Sequence, residues 1–275
     1  MKYLNLSIDE KETLTVIKDF IKTYVENSKC NGVVIGLSGG IDSALAAIIC
    51  KQVLGKSKTH CIFLPESTTP NLDSKHHELL VKKFDLLSKK IDISDVVNQL
   101  SKSCCIKPDK FSLANIKARA RMLLLYQYAN MKKLLVCGTS NKSELLIGYF
   151  TKYGDGGADI MPLGDLYKTQ VRQLAEYLKI PKQIISKPPT AGLWRGQSDE
   201  DEFKMNYKQL DVVLVGLERK INEKEIAKIA KLKVADVQRI KKMRINSQHK
   251  RRSPLIPKLG LRTPGLDWRS PIQLG

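Results

Sequence analysis

At residues 32–43 the chain reads Gly-Val-Val-Ile-Gly-Leu-Ser-Gly-Gly-Ile-Asp-Ser. The apolar run 33–37 is typical of a buried strand in a parallel sheet, and a helical pattern begins near Asp42. The two adjacent glycines between them have no Cβ, so their backbone N–H groups can approach an anion closely. The helix N-terminus adds unpaired N–H groups and a partial positive charge. The stretch therefore predicts a strand, a turn that binds phosphate, and a helix.

Asp42 distinguishes this loop from the two commonest phosphate-binding loops. No lysine follows Gly40, as a P-loop requires, and the dinucleotide pattern Gly-x-Gly-x-x-Gly is absent. A carboxylate beside phosphates repels them unless a cation lies between, so we interpret Asp42 as a Mg²⁺ ligand next to a nucleotide phosphate. The alternative is an aspartate that only stabilises the start of a helix. The order of strand, turn and helix favours the first interpretation, and the loop resembles that of the ATP pyrophosphatases.

The composition limits the classes of protein to consider. The chain has 275 residues, of which 42% are hydrophobic, enough for one large domain or two small ones. It has neither an apolar stretch of the ~20 residues that a membrane span needs nor an apolar leader segment, so we expect a cytoplasmic protein without a membrane partner. Six scattered cysteines without a C-x-x-C spacing argue against a zinc site and a disulfide framework.

The net charge of +19 suggests a polyanionic partner. No RNA-binding motif or aromatic-rich basic strand accompanies the charge. Anionic cofactors also require basic sites, so we do not expect a nucleic acid partner.

Three other segments carry polar residues that suit ligand contact. A predicted strand at 134–137 leads into a turn with Thr139 and Glu144, where Glu144 is either a second metal ligand or a residue of a helix first turn. The loop 149–159 combines three glycines, two acids and a lysine, a composition with little packing value. Residues 187–198 have neither a helix nor a strand pattern and are a candidate lid.

Several elements are predicted from local patterns. Ser7 and Glu10 form a capping box for a first helix, whose apolar stripe contains Leu14, Ile17, Ile21 and Val25. Strands are predicted at 60–64 and 90–93, and helices at 71–85, 95–100, 113–129, 169–178, 207–215, 223–231 and 234–245. Arg119 and Arg121 lie about 200° apart on the helix 113–129, so only one of them can face a given cleft.

Six motifs in this order closely resemble the ammonia-dependent NAD synthetases over residues 10–255. They are SGGIDS at 38–43, KARARM at 117–122, Gly138-Thr139 with Glu144, FTKYGDGG at 150–157, KPPTA at 187–191 and HKRR at 249–252. The first motif occurs in many ATP pyrophosphatases, whereas FTKYGDGG is far more discriminating.

The resemblance implies an α/β fold with a doubly wound parallel sheet flanked by helices, of the adenine-nucleotide alpha-hydrolase-like, ATP pyrophosphatase type, with a helical C-terminal part. We expect a single domain over 1–275, with a core sheet at 10–190, a helical extension at 198–255 and an extended tail at 256–275. It also implies a homodimer with the dinucleotide at the subunit interface. The chain carries no extra domain for glutamine hydrolysis, so free ammonia is the expected nitrogen source.

The implied reaction has two steps. The nicotinate carboxylate of deamido-NAD attacks the α-phosphorus of ATP, pyrophosphate leaves, and ammonia then displaces AMP from the acyl adenylate. ATP is the co-substrate and Mg²⁺ the implied metal, held by Asp42 and Glu144. The implied ATP contacts are Gly36, Leu37, Ser38, Gly39, Gly40, Ile41, Asp42, Ser43, Thr139, Lys168 and Thr190. The implied deamido-NAD contacts are Arg119, Lys152, Asp159, His249 and Lys250.

Charge neutralisation is the main catalytic requirement, because an anion attacks a polyphosphate. Asp42, Lys152 and Lys168 are therefore candidate catalytic residues, the lysines as neutralising cations rather than bases. Asp159 is the candidate that orients or deprotonates ammonium.

Two other functions share the first loop. One is a tRNA-modifying ATP pyrophosphatase, which would use the positive charge on RNA but usually needs catalytic cysteines or a separate RNA-binding domain. The other is a non-catalytic adenine-nucleotide-binding module, which does not need two acidic metal ligands at separate strand ends.

Overall fold

A parallel sheet of four strands forms the centre of the computed structural model, which describes residues 4–190, 192–194 and 196–263. The strands are β1 (Val33–Gly36), β2 (Thr59–Phe63), β3 (Leu87–Lys90) and β4 (Leu135–Cys137). Their spatial order is β3-β2-β1-β4, so the chain crosses from one side of β1 to the other between β3 and β4. This is a topological switch point, where ligands of open α/β sheets bind beyond the carboxyl ends of the strands.

Helices cover both faces of the sheet, as predicted for a doubly wound fold. The helices are α1 (Glu10–Asn27), α2 (Ile41–Leu54), α3 (Asn71–Phe84), α4 (Ser94–Ser103), α5 (Lys110–Lys132), α6 (Lys142–Ile147), α7 (Lys168–Tyr177), α8 (Lys182–Ile185), α9 (Asp199–Phe203), α10 (Tyr207–Glu218), α11 (Glu223–Ala230) and α12 (Val234–Asn246). One apolar cluster packs α1, α2, α3 and α7 against one face of the sheet, and a second packs α4 and α5 against the other.

The predicted apolar stripe of α1 is confirmed, because Leu14, Ile17, Ile21 and Val25 are its buried residues. α2 is buried on nearly every side, from Ile41 to Cys50, which explains why its sequence is almost continuously apolar. The helix after the phosphate-binding turn is therefore held rigidly within the core.

The C-terminal helices form a third apolar cluster. Phe203, Tyr207, Leu210 and Ile226 are fully buried within it, and Ile147 of α6 joins it. The cluster thus packs against the helix that follows β4, and it positions residues 247–251 beside the loop after α6.

The predicted positions of the third strand and of the α1 cap are wrong. The third strand is Leu87–Lys90, three residues earlier than predicted, because it is an outer strand whose mostly polar sequence gives no apolar run. The cap of α1 is Asp9, whose side chain accepts a hydrogen bond from the Glu12 amide at 2.8 Å, rather than Ser7.

Residues 252–263 contain neither helix nor strand, and Leu259 and Leu261 are exposed. Positions 264–275 of the predicted tail lie outside the described residues. Within the described part of the chain, no helix is long and apolar enough to cross a membrane.

Candidate functional site

The loops after β1 and β4 form one wall of a cavity of about 490 Å³ beyond the carboxyl ends of the strands. They lie side by side because β1 pairs with β4, with Ile35 opposite Cys137. The loop after β2, the N-terminal half of α5 and residues 148–157 complete the lining, together with parts of 187–197. This volume is within the range of small-molecule and cofactor sites.

The phosphate-binding turn is braced by its own serines. The Ser43 hydroxyl donates to the Gly40 carbonyl at 3.0 Å and accepts from the Ser38 amide at 3.2 Å, and the Gly40 amide donates to the Ser38 hydroxyl at 3.3 Å. Gly39 has a φ of +82°, and a Cβ there would lie 2.6 Å from the carbonyl oxygen of Asp73. Only glycine fits both the conformation and the space at this position.

Two acids from different strand ends converge on one buried lysine. Lys168 donates from Nζ to Asp42 Oδ2 at 2.5 Å and to Glu144 Oε1 at 3.3 Å, and its side chain is 4% exposed. The second oxygen of Asp42 accepts a 2.9 Å hydrogen bond from the Asn141 amide group. Asn141 caps α6 together with Glu144, so the cap residue that starts the helix also orients Asp42.

Burial and charge compete at this cluster. Burial favours a lower pKa for Lys168, but the Asp42 and Glu144 carboxylates outweigh it and raise the pKa above its ordinary value. Burial raises the pKa of Glu144 to about 8; Lys168 opposes this shift and Asp42 adds to it. The cluster holds two acids for one lysine, which is an arrangement that a further cation would balance.

The donor set at the cluster fits Mg²⁺ bound together with a polyphosphate. Asp42 and Glu144 offer hard carboxylate oxygens, as Mg²⁺ requires, and Mg²⁺ commonly takes one or two carboxylates and completes its shell with phosphate and water. Among the described residues, no group of three or more His, Cys, Asp or Glu side chains could hold a metal ion. The protein would therefore supply only part of the metal shell.

Most residues predicted to contact ATP meet in this region. The cavity is lined by Gly36, Leu37, Ser38, Gly40, Asp42, Ser43, Thr139, Glu144 and Thr190. Ile41 and Lys168 line a smaller adjoining cavity of about 130 Å³, which shares Gly40, Asp42 and Thr190 with the first. Gly39 lines neither, because it faces Asp73.

The residues predicted to contact deamido-NAD divide into three places. Arg119 donates to the Lys152 carbonyl at 3.3 Å, and Lys152 donates to the His249 carbonyl at 2.8 Å, so these three form a rim cluster outside the larger cavity. Lys250 lines the cavity itself and donates to the Gly148 and Phe150 carbonyls.

Asp159 lies apart from both cavities. Its carboxylate accepts hydrogen bonds from the Tyr126 hydroxyl at 3.0 Å and from the Val136 amide at 2.7 Å. Its contacts are those of a residue that fixes the loop against β4.

Two residues outside the predicted contact sets line the larger cavity. Asp155 lines both cavities, and the helix geometry turns Arg121, not Arg119, towards the larger one. Arg121 donates from Nε to the Leu64 carbonyl at 3.0 Å. The glycine-rich composition of 149–159 marks this loop but does not indicate which of its two acids lines the cavity.

A buried ion pair connects three segments above the cavity. Lys117 Nζ lies 2.7 Å from Glu66 Oε1 and donates to the Leu193 carbonyl at 3.0 Å, with side-chain exposures of 6% and 4% for the pair. The hydrogen bonds to Glu66 from Lys117 and Thr68 outweigh its burial, and they lower its pKa to about 2. Helix α5 is thereby tied to the loop after β2 and to the segment that carries Thr190.

The sequence pattern of the NAD synthase family matches residues 13–254. An NH(3)-dependent NAD(+) synthetase of Sulfolobus acidocaldarius is 43% identical over 257 residues, which are 92% of this chain and 91% of that one. The enzyme of the same name from Methanocaldococcus jannaschii is 40% identical over 252 residues, covering 90% of this chain and 97% of its own.

Two solved structures are also similar to this chain in fold and sequence. An NMN synthetase from Francisella tularensis matches with a TM-score of 0.82 and 33% identity, over 92% of this chain and all of that one. An NH3-dependent NAD synthetase from Campylobacter jejuni, in complex with the nitrate ion, matches with a TM-score of 0.77 and 32% identity over the same shares.

Proposed function

The chain belongs to the NAD synthase family, and from this membership we propose how its residues perform the ATP-dependent amidation of deamido-NAD to NAD. The enzyme is a carbon–nitrogen ligase that uses ATP as co-substrate and ammonia as nitrogen donor. The observation that carries the assignment of the site is the convergence of Asp42 and Glu144 on Lys168, directly beside the phosphate-binding turn.

The first step forms a bond between a carboxylate oxygen of deamido-NAD and the α-phosphorus of ATP, while the bond to pyrophosphate breaks. The amides and hydroxyls of residues 38–43 hold the phosphates, and Lys168 lies next to them as a permanent cation because its pKa is raised. Neutralisation of this kind stabilises charge that develops on the leaving group. No covalent bond to the protein is needed.

We place Mg²⁺ at Asp42 and Glu144, where it would withdraw charge from the phosphate oxygens of ATP. The supporting argument is the chemistry of the two carboxyl groups: the raised pKa of Glu144 means that it keeps a proton near neutral pH, and a bound cation would take the place of that proton. Asn141 and Lys168 keep the two carboxylates in place in the absence of the ion.

In the second step ammonia attacks the carbonyl carbon of the acyl adenylate, AMP leaves with the bonding electrons, and the nitrogen loses a proton. An ammonium ion must first lose a proton, and a carboxylate that faces the cavity can accept it. Asp155 is better placed than Asp159 for this role, because it lines both cavities whereas the Asp159 carboxylate is held by Tyr126 and Val136.

The dinucleotide extends, in this proposal, from the cavity at Lys250 to the rim cluster of Arg119, Lys152 and His249. These side chains lie at the surface of one chain, so a second copy would be needed to cover the dinucleotide. A homodimer, a cytoplasmic location and a single domain over 1–275 are further parts of the proposal.

The test is the formation of NAD from deamido-NAD, ATP, Mg²⁺ and ammonium, followed by mass spectrometry together with pyrophosphate release. The variant is Asp42→Asn and its matched control is Asp165→Asn. The Asp165 side chain is 95% exposed and pairs with Lys142 rather than with the cluster. We expect Asp42→Asn to lose at least about a hundredfold in turnover and Asp165→Asn to retain it. Equal turnover by the two variants would remove the assignment of Asp42.

A parallel assay with the mononucleotide analogue of deamido-NAD tests which of the two compounds is the preferred substrate. The mononucleotide is included because one of the similar structures is an NMN synthetase. We expect deamido-NAD to give the higher kcat/KM. A tRNA gel shift with its salt dependence tests the alternative RNA substrate.

A further inference from the structure

An ion pair beside the phosphate-binding turn has no part in the mechanism above. Lys187 Nζ contacts Asp73 Oδ1, and the two side chains are only 15% and 11% exposed. Lys187 follows α8, and Asp73 lies in the first turn of α3. The pair therefore joins the segment that carries Thr190 to the helix on the other side of the turn.

The pair lies against the turn that we assign to the phosphates. The Asp73 carbonyl approaches Gly39 closely enough to exclude a side chain there. Lys187 lines both cavities, as Gly40 and Asp42 do, and Asp73 lines the larger one. Lys187 and Asp73 are thus both part of the cavity wall that includes residues of the turn.

A polyphosphate that enters the cavity interacts with both charges of this ion pair. A carboxylate in contact with the cavity repels phosphate oxygens, whereas an ammonium group with three donors attracts them. The Asp73 carboxylate can stay ionised without Lys187, because the N-terminal end of α3 stabilises a negative charge in its first turn. Among the described residues, Asp73 is the side chain that pairs with Lys187, so the phosphate competes with Asp73 for it.

We propose that Lys187 binds the pyrophosphate portion of ATP and the pyrophosphate product, and that Asp73 competes with this anion for the lysine and so promotes release. The inference rests on the proposed function, since it assumes ATP at residues 38–43. Pro188 and Pro189 separate Lys187 from Thr190 and restrict the backbone between them. In this proposal Lys187 and Thr190 contact the same nucleotide.

A purely structural ion pair makes a different prediction. If the pair only fastens the segment to α3, removal of either partner has the same effect, namely lower stability and weaker binding. If Asp73 competes with the anion, removal of the aspartate charge strengthens binding and removal of the lysine weakens it. The sign of the Asp73 effect therefore separates the two explanations.

The experiment is isothermal titration of the full chain with magnesium pyrophosphate. The variants are Lys187→Met, Asp73→Asn and the double variant, and Lys187→Arg tests rescue by charge. Lys182→Met and Glu78→Gln are charge-matched controls, because both side chains belong to exposed residues of the neighbouring helices α8 and α3. Thermal melts by circular dichroism verify that each variant folds.

We expect Lys187→Met to raise the Kd for pyrophosphate about ten- to a hundredfold, the usual range for a lost hydrogen bond to a charged group. Asp73→Asn lowers the Kd by about threefold or more, the double variant resembles Lys187→Met, and Lys187→Arg stays near the wild type. In the amidation assay the KM for ATP follows the same order.

Two results would overturn the inference: a Kd for Lys187→Met equal to that of Lys182→Met, or an Asp73→Asn variant that weakens binding as Lys187→Met does. Its failure is distinct from that of the proposed function. NAD formation by the wild type together with either result refutes only the role of Lys187. Pyrophosphate binding that depends on Lys187 in a chain that forms no NAD refutes only the reaction. A wild type that binds neither pyrophosphate nor ATP refutes both.

Discussion

At the scale of single residues, the two aspartates of the loop 149–159 have different surroundings, although Asp155 also accepts a hydrogen bond, from the Thr151 amide at 2.8 Å. Asp155 lines both cavities, while both oxygens of Asp159 are occupied by the Tyr126 hydroxyl and the Val136 amide. The Asp159 carboxylate also contributes, after burial, to raising the pKa of Tyr126 to about 12, which keeps the phenol protonated as a donor. Substitution of Asp155 and of Asp159 should therefore affect different properties, catalysis and stability respectively.

Asp155→Asn is expected to reduce kcat with ammonium by at least about tenfold, because general bases contribute about 10² or more, with a small change in melting temperature. Asp159→Asn is expected to cost about 1–3 kcal/mol of stability, because the Val136 amide or the Tyr126 hydroxyl loses its acceptor. Steady-state kinetics with varied ammonium and thermal melts measure both. Normal stability together with a large loss of kcat in Asp159→Asn would return the catalytic role to that residue.

The Lys117–Glu66 pair gives a prediction about pH. The folded-state pKa of Glu66, about 2, lies below its ordinary value of 4.5, so the pair stabilises the fold above pH 4.5 and loses this contribution as the pH falls towards 2. Lys117→Met leaves a buried carboxylate without its partner and is expected to cost about 3–5 kcal/mol at pH 7.

Urea unfolding of the wild type and Lys117→Met at several values between pH 7 and 3 measures this cost. We expect the difference between them to shrink below pH 4.5. Lys56→Met removes an exposed pair with Asp85, whose side chain is 68% exposed, and should cost no more than about 1 kcal/mol. A difference for Lys117→Met that stayed constant across the pH range would contradict the assignment to Glu66.

At the scale of elements, the turn after β1 depends on the close approach of α3. Gly39 and Gly55 have the same φ of +82°, but a Cβ on Gly55 would meet nothing within 4 Å. Alanine at either position carries backbone strain of about 1–3 kcal/mol. At Gly39 it also collides with the Asp73 carbonyl and pushes α3 from the turn.

Gly39→Ala is therefore expected to abolish detectable ATP binding, whereas Gly55→Ala reduces stability alone. Chemical denaturation and titration with ATP and Mg²⁺ separate the two effects. Retention of wild-type ATP affinity in Gly39→Ala would mean that the turn does not hold the phosphates.

The elements that the sequence predicts well are those with strong apolar patterns. β1, α2 and the α1 stripe follow directly from runs of buried residues, and the turn between β1 and α2 follows from its two glycines and Asp42. β3 is displaced because Leu87–Lys90 contains two lysines and a serine and gains its strand conformation from pairing with β2. α5 begins three residues before the predicted start, because Asp109 caps it with a 2.7 Å hydrogen bond from the Ser112 amide.

The sequence predicts a site residue only where its position after a strand end is enough to place it in the site. Asp42 and Glu144 follow strand ends, so the topology brings them together. Asp155 and Lys187 depend on which way a loop turns, and Asp73 faces the cavity because α3 packs on Gly39. Such orientation is set by tertiary packing and has no local sequence signal.

At the scale of the whole molecule, the rim cluster of Arg119, Lys152 and His249 places positive charge on the surface beside the cavity. We expect a homodimer in which the partner completes the dinucleotide site. Light scattering after gel filtration should give twice the chain mass of 31.0 kDa. Deamido-NAD should protect the dimer against dissociation on dilution, and a monomer with full activity would refute this arrangement.

The order of the strands also has a consequence for synthesis on the ribosome. β1 lies in the interior of the sheet and is the first strand to be made, but its neighbour β4 is separated from it by about a hundred residues and is made last. A nascent chain that ends before β4 exposes one edge of β1 and lacks Glu144 and Lys168 altogether. Nucleotide binding thus has to wait until Lys168 has been synthesised, and until β4 pairs with it the exposed edge of β1 is the part of the chain that a chaperone would have to shield.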